Sequence, residues 1–346
     1  LLAMLKKCLP HRPDLKVVIM SATADTASIC SYFGACAIYR VAGRTFPVQY
    51  IYEASEEDDF QDIGTIRQSC PGNSRHVLHV VKVVTTIHSG KETGDVLAFL
   101  TSQAEVEWAC GQSFGSSAVV LPLHGKMLGG EQQLVFQPTP VGTRKIIFAT
   151  NVAETSLTIP GIKFVVDCGL AKERCVDAST GMNVLKLCKI DKSAAMQRAG
   201  RAGRTQAGVC YRLYSKLDFE AMAPHRTPEI MRVHLGIAIL KLMALQVQNV
   251  KSFDFIDSPN PTAIALAIKD LLQLGAIFND QNEKTRLTTL GWKLVKLGID
   301  PRLGFIVIKS ISAGLGMEGL VVAGLLSCSG SIFFRAGSEE EKQRSD

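Results

Sequence analysis

Three arginines spaced three residues apart are the strongest chemical signal in the sequence. They lie in the stretch QRAGRAGRT at 197–205, and only Ala and Gly stand between them. Residues three apart share a face of a helix, so Arg198, Arg201 and Arg204 are predicted to form one cationic ridge. Guanidinium forks suit phosphate oxygens, and small neighbours let a phosphate chain come close. The stretch therefore predicts a phosphate contact, against the plainer alternative of a solvated basic helix.

The bulk composition is that of an ordinary globular protein with a mild positive charge. Of its 346 residues, 47% are hydrophobic and 20% are charged, and the net charge is +6. This length predicts two or three domains, and the charge permits a polyanionic partner without requiring one. The ten cysteines include no CxxC pair, so we expect no zinc site and reduced, buried thiols in an intracellular protein.

The apolar stretch at 311–334 is about as long as a membrane span. Glu318 and several glycines interrupt it, and no basic flank sets an orientation, so we expect a buried pair of helices joined by a turn. No membrane partner is predicted. The chain opens without Met inside an amphipathic helix predicted over 1–9, and we expect it to be a piece of a longer protein.

Short apolar runs followed by small or polar residues predict the parallel strands of an α/β fold. The runs lie at 16–20, 37–41, 95–100, 119–123, 143–149, 163–167 and 209–214. Parallel strands present their carboxyl ends at one sheet edge, where α/β proteins bind ligands. The polar residues after two of these runs are therefore candidate ligand contacts, namely Ser21, Thr23, Thr150 and Asn151. Small hydroxyl residues also cap helices, which is the plainer alternative for the first two.

Two Gly-Lys pairs invite a phosphate-loop interpretation that the sequence does not support. Neither 90–91 nor 125–126 has the upstream Gly or the following hydroxyl of the GxxxxGK[ST] loop. His124, just before the second pair, is expected to be an ordinary loop histidine, and no metal site is predicted.

Four of these segments together resemble the motifs of superfamily 2 helicases, in the DEAH/RHA group of RNA helicases. QRAGRAGRT resembles motif VI over nine consecutive residues, and ATNVAETSLTIPG at 149–161 resembles motif V. DVLAFLTSQAEVE at 95–107 resembles motif IV, and Ser-Ala-Thr at 21–23 resembles motif III. The resemblance covers most of 15–335. Part of it is to plant DEAH helicases that carry ubiquitin-ligase-type modules, although no such module is present in the sequence.

The resemblance implies an α/β fold with four parts in chain order. They are the tail of a first RecA-like lobe (1–44), a complete second RecA-like lobe of parallel sheet and flanking helices (45–216), a winged-helix domain (217–285) and the start of a helical ratchet bundle (286–346). Residues 173–188 are expected to form a β-hairpin, which is a wedge against RNA in this family and otherwise an ordinary surface hairpin.

The function implied by the resemblance is 3′-to-5′ unwinding or remodelling of RNA driven by hydrolysis of ATP or another NTP with Mg²⁺. The implied partners are single-stranded RNA, or duplex with a 3′ overhang, and an activator protein, inside the cell in cytoplasm or nucleus. The sequence contains neither a GK[ST] loop nor a DExH box. Both, with most Mg²⁺ ligands, are expected before Leu1, so the isolated chain should not hydrolyse ATP. A non-catalytic RNA-binding or scaffold protein and a DNA-acting helicase of the same superfamily stay open as alternatives.

Residue roles also follow from the resemblance. Arg201 and Arg204 would be arginine fingers that neutralise charge developing on the γ-phosphate, with Gln197 positioning the attacking water. The implied nucleotide-linked residues are Ser156, Thr158, Phe136, Ser21 and Thr23, of which the last two relay nucleotide state and Phe136 stacks on adenine or else belongs to the core. The implied RNA-backbone contacts are Ser102, Thr150 and Asn151. Two residues depart from the usual pattern: Pro160 replaces an acid, which removes a sugar contact, and Met196 replaces an Asn, which alters local hydrogen bonding.

Overall fold

A computed structural model of the chain describes residues 1–20, 26–34, 36–39, 41, 46–53, 71–154, 158–176, 183–247, 249–280 and 284–327. The chain divides into two compact units. We call 37–173 with 186–227 the sheet unit, and 1–36 with 174–185 and 228–346 the helical unit. The boundaries predicted at 44, 216 and 285 make a finer division, which stays a prediction.

The strands are numbered in chain order. They are β1 Val48–Tyr52, β2 Asp95–Phe99, β3 Ala118–Leu123, β4 Arg144–Ala149, β5 Ile162–Asp167, β6 Leu170–Val176, β7 Asn183–Lys189, β8 Gly208–Arg212, β9 Ile277–Asn279 and β10 Thr285–Leu287. The helices are α1 Leu2–Cys8, α2 Thr26–Phe33, α3 Arg75–Ser89, α4 Gln103–Cys110, α5 Gly129–Gln133, α6 Lys192–Ala199, α7 Lys216–Ala221, α8 Gly236–Ala244, α9 Pro261–Gln273, α10 Thr289–Leu297, α11 Pro301–Ser312 and α12 Gly316–Ser327. Short 3₁₀ turns include Leu134–Phe136, Asn151–Glu154 and Glu229–Met231.

The sheet unit is built on six parallel strands in the order β1-β8-β5-β2-β4-β3. Strand β2 pairs on both sides, with Leu97 opposite Ile147 of β4 and Val165 of β5, and every residue of β2 is buried. A strand covered on both faces needs a continuous apolar run, which is what the sequence has here. The α/β class and the five predicted strands within this sheet are confirmed. Strand β1 was not predicted, because polar Gln49 and the tyrosines around it do not form such a run.

The first part of the chain corrects two strand predictions. Residues 16–20, and the described residues of 37–41, lie outside any strand, with Val18 79% and Met20 88% exposed. A strand is stabilised by hydrogen bonds to a neighbour, and no strand among the described residues pairs with either run. The described residues that follow the first run form helix α2, Thr26–Phe33.

One cysteine pair contradicts the expectation of reduced thiols. Cys30 and Cys36 form a disulfide with their Cα atoms 5.6 Å apart, a separation that suits such a bridge. Cys168 and Cys210 of the sheet unit are free and buried, as expected.

In the helical unit, α8, α9 and α10 enclose an apolar core with the β9–β10 pair. The Asn260 side chain caps α9 by accepting from Thr262 N, and Gly275, at φ 69°, follows its end. Helix α8 begins only at Gly236, because Glu229–Met231 forms a 3₁₀ turn and the His234 amide donates to Asn183 Oδ1 at 2.8 Å.

The stretch predicted to form a buried helix pair at 311–334 contains the last residues of α11 and the whole of α12. The prediction that this stretch is buried is wrong. Small Gly319 and Ala323 are buried, and Gly319 lies against Ser310 of α11, so the large side chains point away. Leu320 and Val321 are both about half exposed. No helix among the described residues has the length and apolarity needed to cross a membrane.

The predicted hairpin strands are confirmed as β6 and β7, which form a two-stranded sheet; the residues 177–182 between them are outside the described set. The described strand ends at 174–176 and 183–185 belong to the helical unit. There the Val176 amide donates to the Arg232 carbonyl at 2.8 Å, and Arg232 Nη1 donates to the Arg174 carbonyl at 2.9 Å.

Candidate functional site

Helix α6 leads into the arginine stretch and ends inside it. Asp191 caps its start by accepting from Ala194 N, and its last residue is Ala199, with Gly200 as the C-cap. A Cβ at Gly203 would lie 2.6 Å from the Phe46 carbonyl oxygen and 2.8 Å from Val48 Cγ2, so the chain can turn tightly against β1 only with glycine there. The predicted ridge on one helical face is therefore wrong, because the helix stops after the first arginine.

Arg198 is a buried structural cation and not the predicted phosphate contact. Its Nη1 donates to Asp167 Oδ1 at 2.7 Å and its Nε to Glu154 Oε1 at 2.8 Å, and the side chain is 0% exposed. Burial opposes the charge, but the two carboxylates outweigh it and hold the pKa of Arg198 above its ordinary value. A fully buried guanidinium that is paired in this way is not available to a ligand.

Arg201 and Arg204 instead contact the connection between β4 and β5. Arg201 Nη2 donates to the Glu154 carbonyl oxygen, and Arg204 Nη1 donates to Thr158 Oγ1. Arg201 is 7% exposed, and burial, followed by the positive charge of Arg204, lowers its pKa to about 10. Two neighbouring cations in a partly dry site favour an anion between them, which would relieve their repulsion.

The predicted RNA contacts lie at the carboxyl ends of two adjacent strands. Ser102 follows β2 and caps α4 by accepting from Glu105 N at 3.4 Å, while Thr150 and Asn151 follow β4. The strands are in register at Phe99 and Ala149, so these polar residues occupy one stretch of sheet edge. Asn151 is exposed, whereas Thr150 is half-buried and its amide donates to the Leu123 carbonyl.

The contacts of the other predicted residues do not distinguish between their predicted roles and plainer ones. Gln197 is half-buried, and its Nε2 donates to Ser193 Oγ at 3.4 Å. Phe136 is half-buried and packs against the apolar cluster of β2, β4 and β5, which fits its core alternative, and adenine stacking stays a prediction. Ser21, Thr23 and Ser156 lie outside the described residues.

The two departures from the usual pattern have different surroundings. Met196 Sδ accepts from Arg212 Nη2 at 3.5 Å, so a thioether acts as acceptor where an Asn is usual. Pro160 is exposed in the turn before β5 and offers no acid.

Three residues of the site were missed at the sequence level: Glu154, Asp167 and Tyr214. Asp167 accepts from Arg198 and, through Oδ2, from the Tyr214 hydroxyl at 2.9 Å. The only signal for Glu154 in the sequence was an acid within the ATNVAETSLTIPG segment, and the only signal for Asp167 was an acid at the end of an apolar strand. Neither is informative until the cation that neutralises it is known.

No group of three or more His, Cys, Asp or Glu side chains within the described residues could hold a metal ion. His124, predicted to be a loop histidine, is buried, with its Nε2 3.7 Å from Glu107 Oε1.

Comparisons with known proteins identify relatives over the whole chain. Residues 76–206 match the helicase conserved C-terminal domain. The chain is 49% identical over all 346 residues to the ATP-dependent RNA helicase DEAH12, chloroplastic, of Arabidopsis thaliana, and 39% identical over 332 residues to the probable ATP-dependent RNA helicase DHX34 of Mus musculus. It spans 19% of the former and 28% of the latter. The crystal structure of the Escherichia coli DEAH/RHA helicase HrpB matches 94% of this chain and 39% of that one, with a TM-score of 0.78 and 30% identity.

Proposed function

We propose that this chain, which carries a helicase conserved C-terminal domain and is related to the DEAH/RHA group of RNA helicases along its length, supplies one side of the ATP site and part of the RNA path of an ATP-dependent RNA helicase. Since the chain spans about a fifth of its plant relatives, the activity belongs to the longer protein.

The observation that carries the proposal is the placement of Arg201 and Arg204 along the β4–β5 connection. Both guanidinium groups contact this segment, one at Glu154 and the other at Thr158. Charge that develops on a transferring phosphoryl group is stabilised by such preorganised cations. Arg201 and Arg204 are thus our candidates for the arginine fingers, with Gln197 orienting the attacking water.

The same connection begins at the sheet edge that would contact RNA. Thr150 and Asn151 lie at its start, beside Ser102 on the adjacent strand end. The Ser102 cap uses the hydroxyl oxygen as an acceptor, so its hydrogen can still donate to a phosphate. One short segment therefore has RNA-facing residues at one end and arginine contacts at the other, which is an arrangement suited to coupling strand movement to hydrolysis.

The remaining components are assigned by relationship. The phosphates of ATP and its Mg²⁺ would be held mostly by a GK[ST] loop and a DExH box, neither of which occurs in this sequence. Movement along RNA from 3′ to 5′, a single-stranded or 3′-overhang substrate, an activator protein and an intracellular site of action are parts of the same proposal. The helix, helix, hairpin and helix order of α8 to α10 supports a winged-helix domain, with α11 and α12 as the start of the ratchet bundle.

A chimera tests the proposal directly. The segment of the Arabidopsis helicase DEAH12 that aligns with this chain is replaced by the chain, and RNA-stimulated ATP hydrolysis is measured. We expect turnover in the chimera and none in the isolated chain. Arg201→Ala and Arg204→Ala should each lower kcat by about 10³ or more. Arg286→Ala, at an exposed arginine paired with Asp280, is the matched control and should leave kcat unchanged.

Two results would overturn the proposal. One is a chimera whose hydrolysis survives both arginine substitutions. The other is a chimera that folds and binds RNA yet never hydrolyses ATP while the parent enzyme does, which favours the RNA-binding scaffold.

A further inference from the structure

We propose that Arg198 is a positioning residue that sets the place of Arg201 through Glu154. The inference rests on the proposed role of Arg201 as an arginine finger. It assigns to the first arginine of the QRAGRAGRT stretch a task that differs from phosphate contact.

Arg198 is fixed from several sides. It ties α6 to Asp167 at the end of β5, to Glu154 after β4 and, through Nη2, to the Leu170 carbonyl at 3.1 Å. Asp167 is 0% exposed, accepts from the Gly169 amide and from the Tyr214 hydroxyl, and so cannot follow a moving arginine. Charge-assisted contacts of this kind, shielded from water, hold their geometry tightly.

Glu154 contacts two arginines with different groups. Its carboxylate Oε1 is 2.7 Å from Arg198 Nη2 and 2.8 Å from Arg198 Nε, while its backbone carbonyl accepts from Arg201 Nη2. The clamp on the side chain therefore determines where the carbonyl points. Without Arg198, the nearly buried carboxylate of Glu154 would lose its countercharge, so the Asn151–Glu154 turn would have to shift toward water.

Arg212 provides a matched control in the same unit. It is also almost fully buried, at 1% exposure, and lies in the same sheet as Asp167. Its Nη1 donates to the Tyr52 hydroxyl at 2.7 Å, and its guanidinium packs over the Phe219 ring at 4.0 Å from the centroid. Replacing it removes a buried guanidinium without removing the clamp on Glu154.

The experiment uses the 346-residue chain with ¹⁵N-labelled arginine and no nucleotide. The readout is the solvent-exchange rate of the Arg201 Nε–H signal, assigned with Arg201→Lys, together with thermal unfolding to confirm folding. Arg198→Lys should speed this exchange about tenfold, since a clamp of charge-assisted hydrogen bonds is lost. Glu154→Ala, which keeps the carbonyl but removes the carboxylate, should act in the same direction. Arg212→Lys should change the rate less than about twofold.

The outcomes separate the two proposals. Equal exchange rates in folded Arg198→Lys and wild-type chains, or equal effects of Arg198→Lys and Arg212→Lys, would overturn the positioning role. If Arg198→Lys does not fold, an unchanged exchange rate of the Arg201 Nε–H in Glu154→Ala would also contradict the positioning role. A faster exchange in Arg198→Lys combined with full hydrolysis by the Arg201→Ala chimera would instead contradict the role of Arg201 as an arginine finger. The positioning of Arg201 by Arg198 through Glu154 would then still hold.

Discussion

The last turn of α6 and the turn that follows it carry the same residue type in opposite surroundings. Arg198 lies in the last turn of the helix with 0% exposure between two carboxylates, whereas Arg204 is half-buried and donates to the hydroxyl of Thr158. The first guanidinium is neutralised inside the protein, and the second keeps charge available for an anion. The difference teaches that the helix end at Ala199, and not the three-residue spacing, decides which arginine can meet a ligand.

The largest expected difference between the two turns is in catalysis. In the chimera, Arg204→Ala should lower kcat by about 10³–10⁵ while leaving the midpoint of thermal unfolding nearly unchanged. The reason is that the proposed partner of Arg204 is an anion of the substrate, whereas its hydrogen bond to Thr158 contributes little to folding. Steady-state kinetics at saturating ATP and a melting curve on the same samples measure both. A large loss of stability in Arg204→Ala would mean that Arg204, like Arg198, is needed for folding, which contradicts this prediction.

Stability shows the reverse contrast. Asp167→Ala removes one carboxylate from the buried Arg198 and should cost about 3–5 kcal/mol, because a buried charge loses its main countercharge. Urea denaturation of the chain measures this cost. Asp280→Ala, which removes the acid from the exposed pair with Arg286, is the control and should cost less than about 1 kcal/mol. Comparable costs would mean that the Arg198 network is not what holds the last turn.

The glycine of the second turn offers a smaller effect. Gly203→Ala should destabilise the chain by about 1–3 kcal/mol, since the new Cβ would overlap the Phe46 carbonyl and Val48. Gly130→Ala adds a methyl group that meets nothing within 4 Å, on helix α5, and should be neutral or slightly stabilising. If the two substitutions change the free energy of unfolding equally, the close approach to β1 is not the reason why glycine is needed at position 203.

The smallest effect is electrostatic. The pKa of Arg201 is lowered to about 10, first by burial and then by Arg204, so Arg204→Gln should raise it part of the way toward its ordinary value. An ¹³Cζ titration between about pH 8 and pH 12 follows the change. Arg201 is protonated in both the folded and the unfolded chain at neutral pH, so this group should give stability no pH dependence there. In the wild type, stability from this group should rise with pH above about 10, because the unfolded chain then binds more protons.

How far the sequence predicts this molecule depends on how local the deciding interaction is. The runs at 95–100, 143–149 and 163–167 were predicted as strands because each carries its own apolar signal. The run at 16–20 has the same signal and was wrong, since a strand also needs a neighbour, and β1 was missed because its neighbour β8 supplies what its composition lacks.

The site follows the same rule. The resemblance pointed to Arg201, Arg204 and the 149–161 segment, and the structure brings these together. The burial of Arg198 could not be foreseen, because its acids lie 31 and 44 residues away in the chain. Spacing within nine residues carries no information about such distant partners.

The order of strands in the sheet also has a consequence for how the chain is made. Val48 of β1 pairs with Gly208 of β8, and Tyr52 accepts from Arg212, which is 160 residues away. At ribosomal rates of roughly 5–20 residues per second, β8 is synthesised roughly 8–32 seconds after β1. The segment VQYIY must wait as an unpaired β-prone stretch during that time, so binding by a chaperone would matter most for the nascent chain just before the arginine stretch is translated.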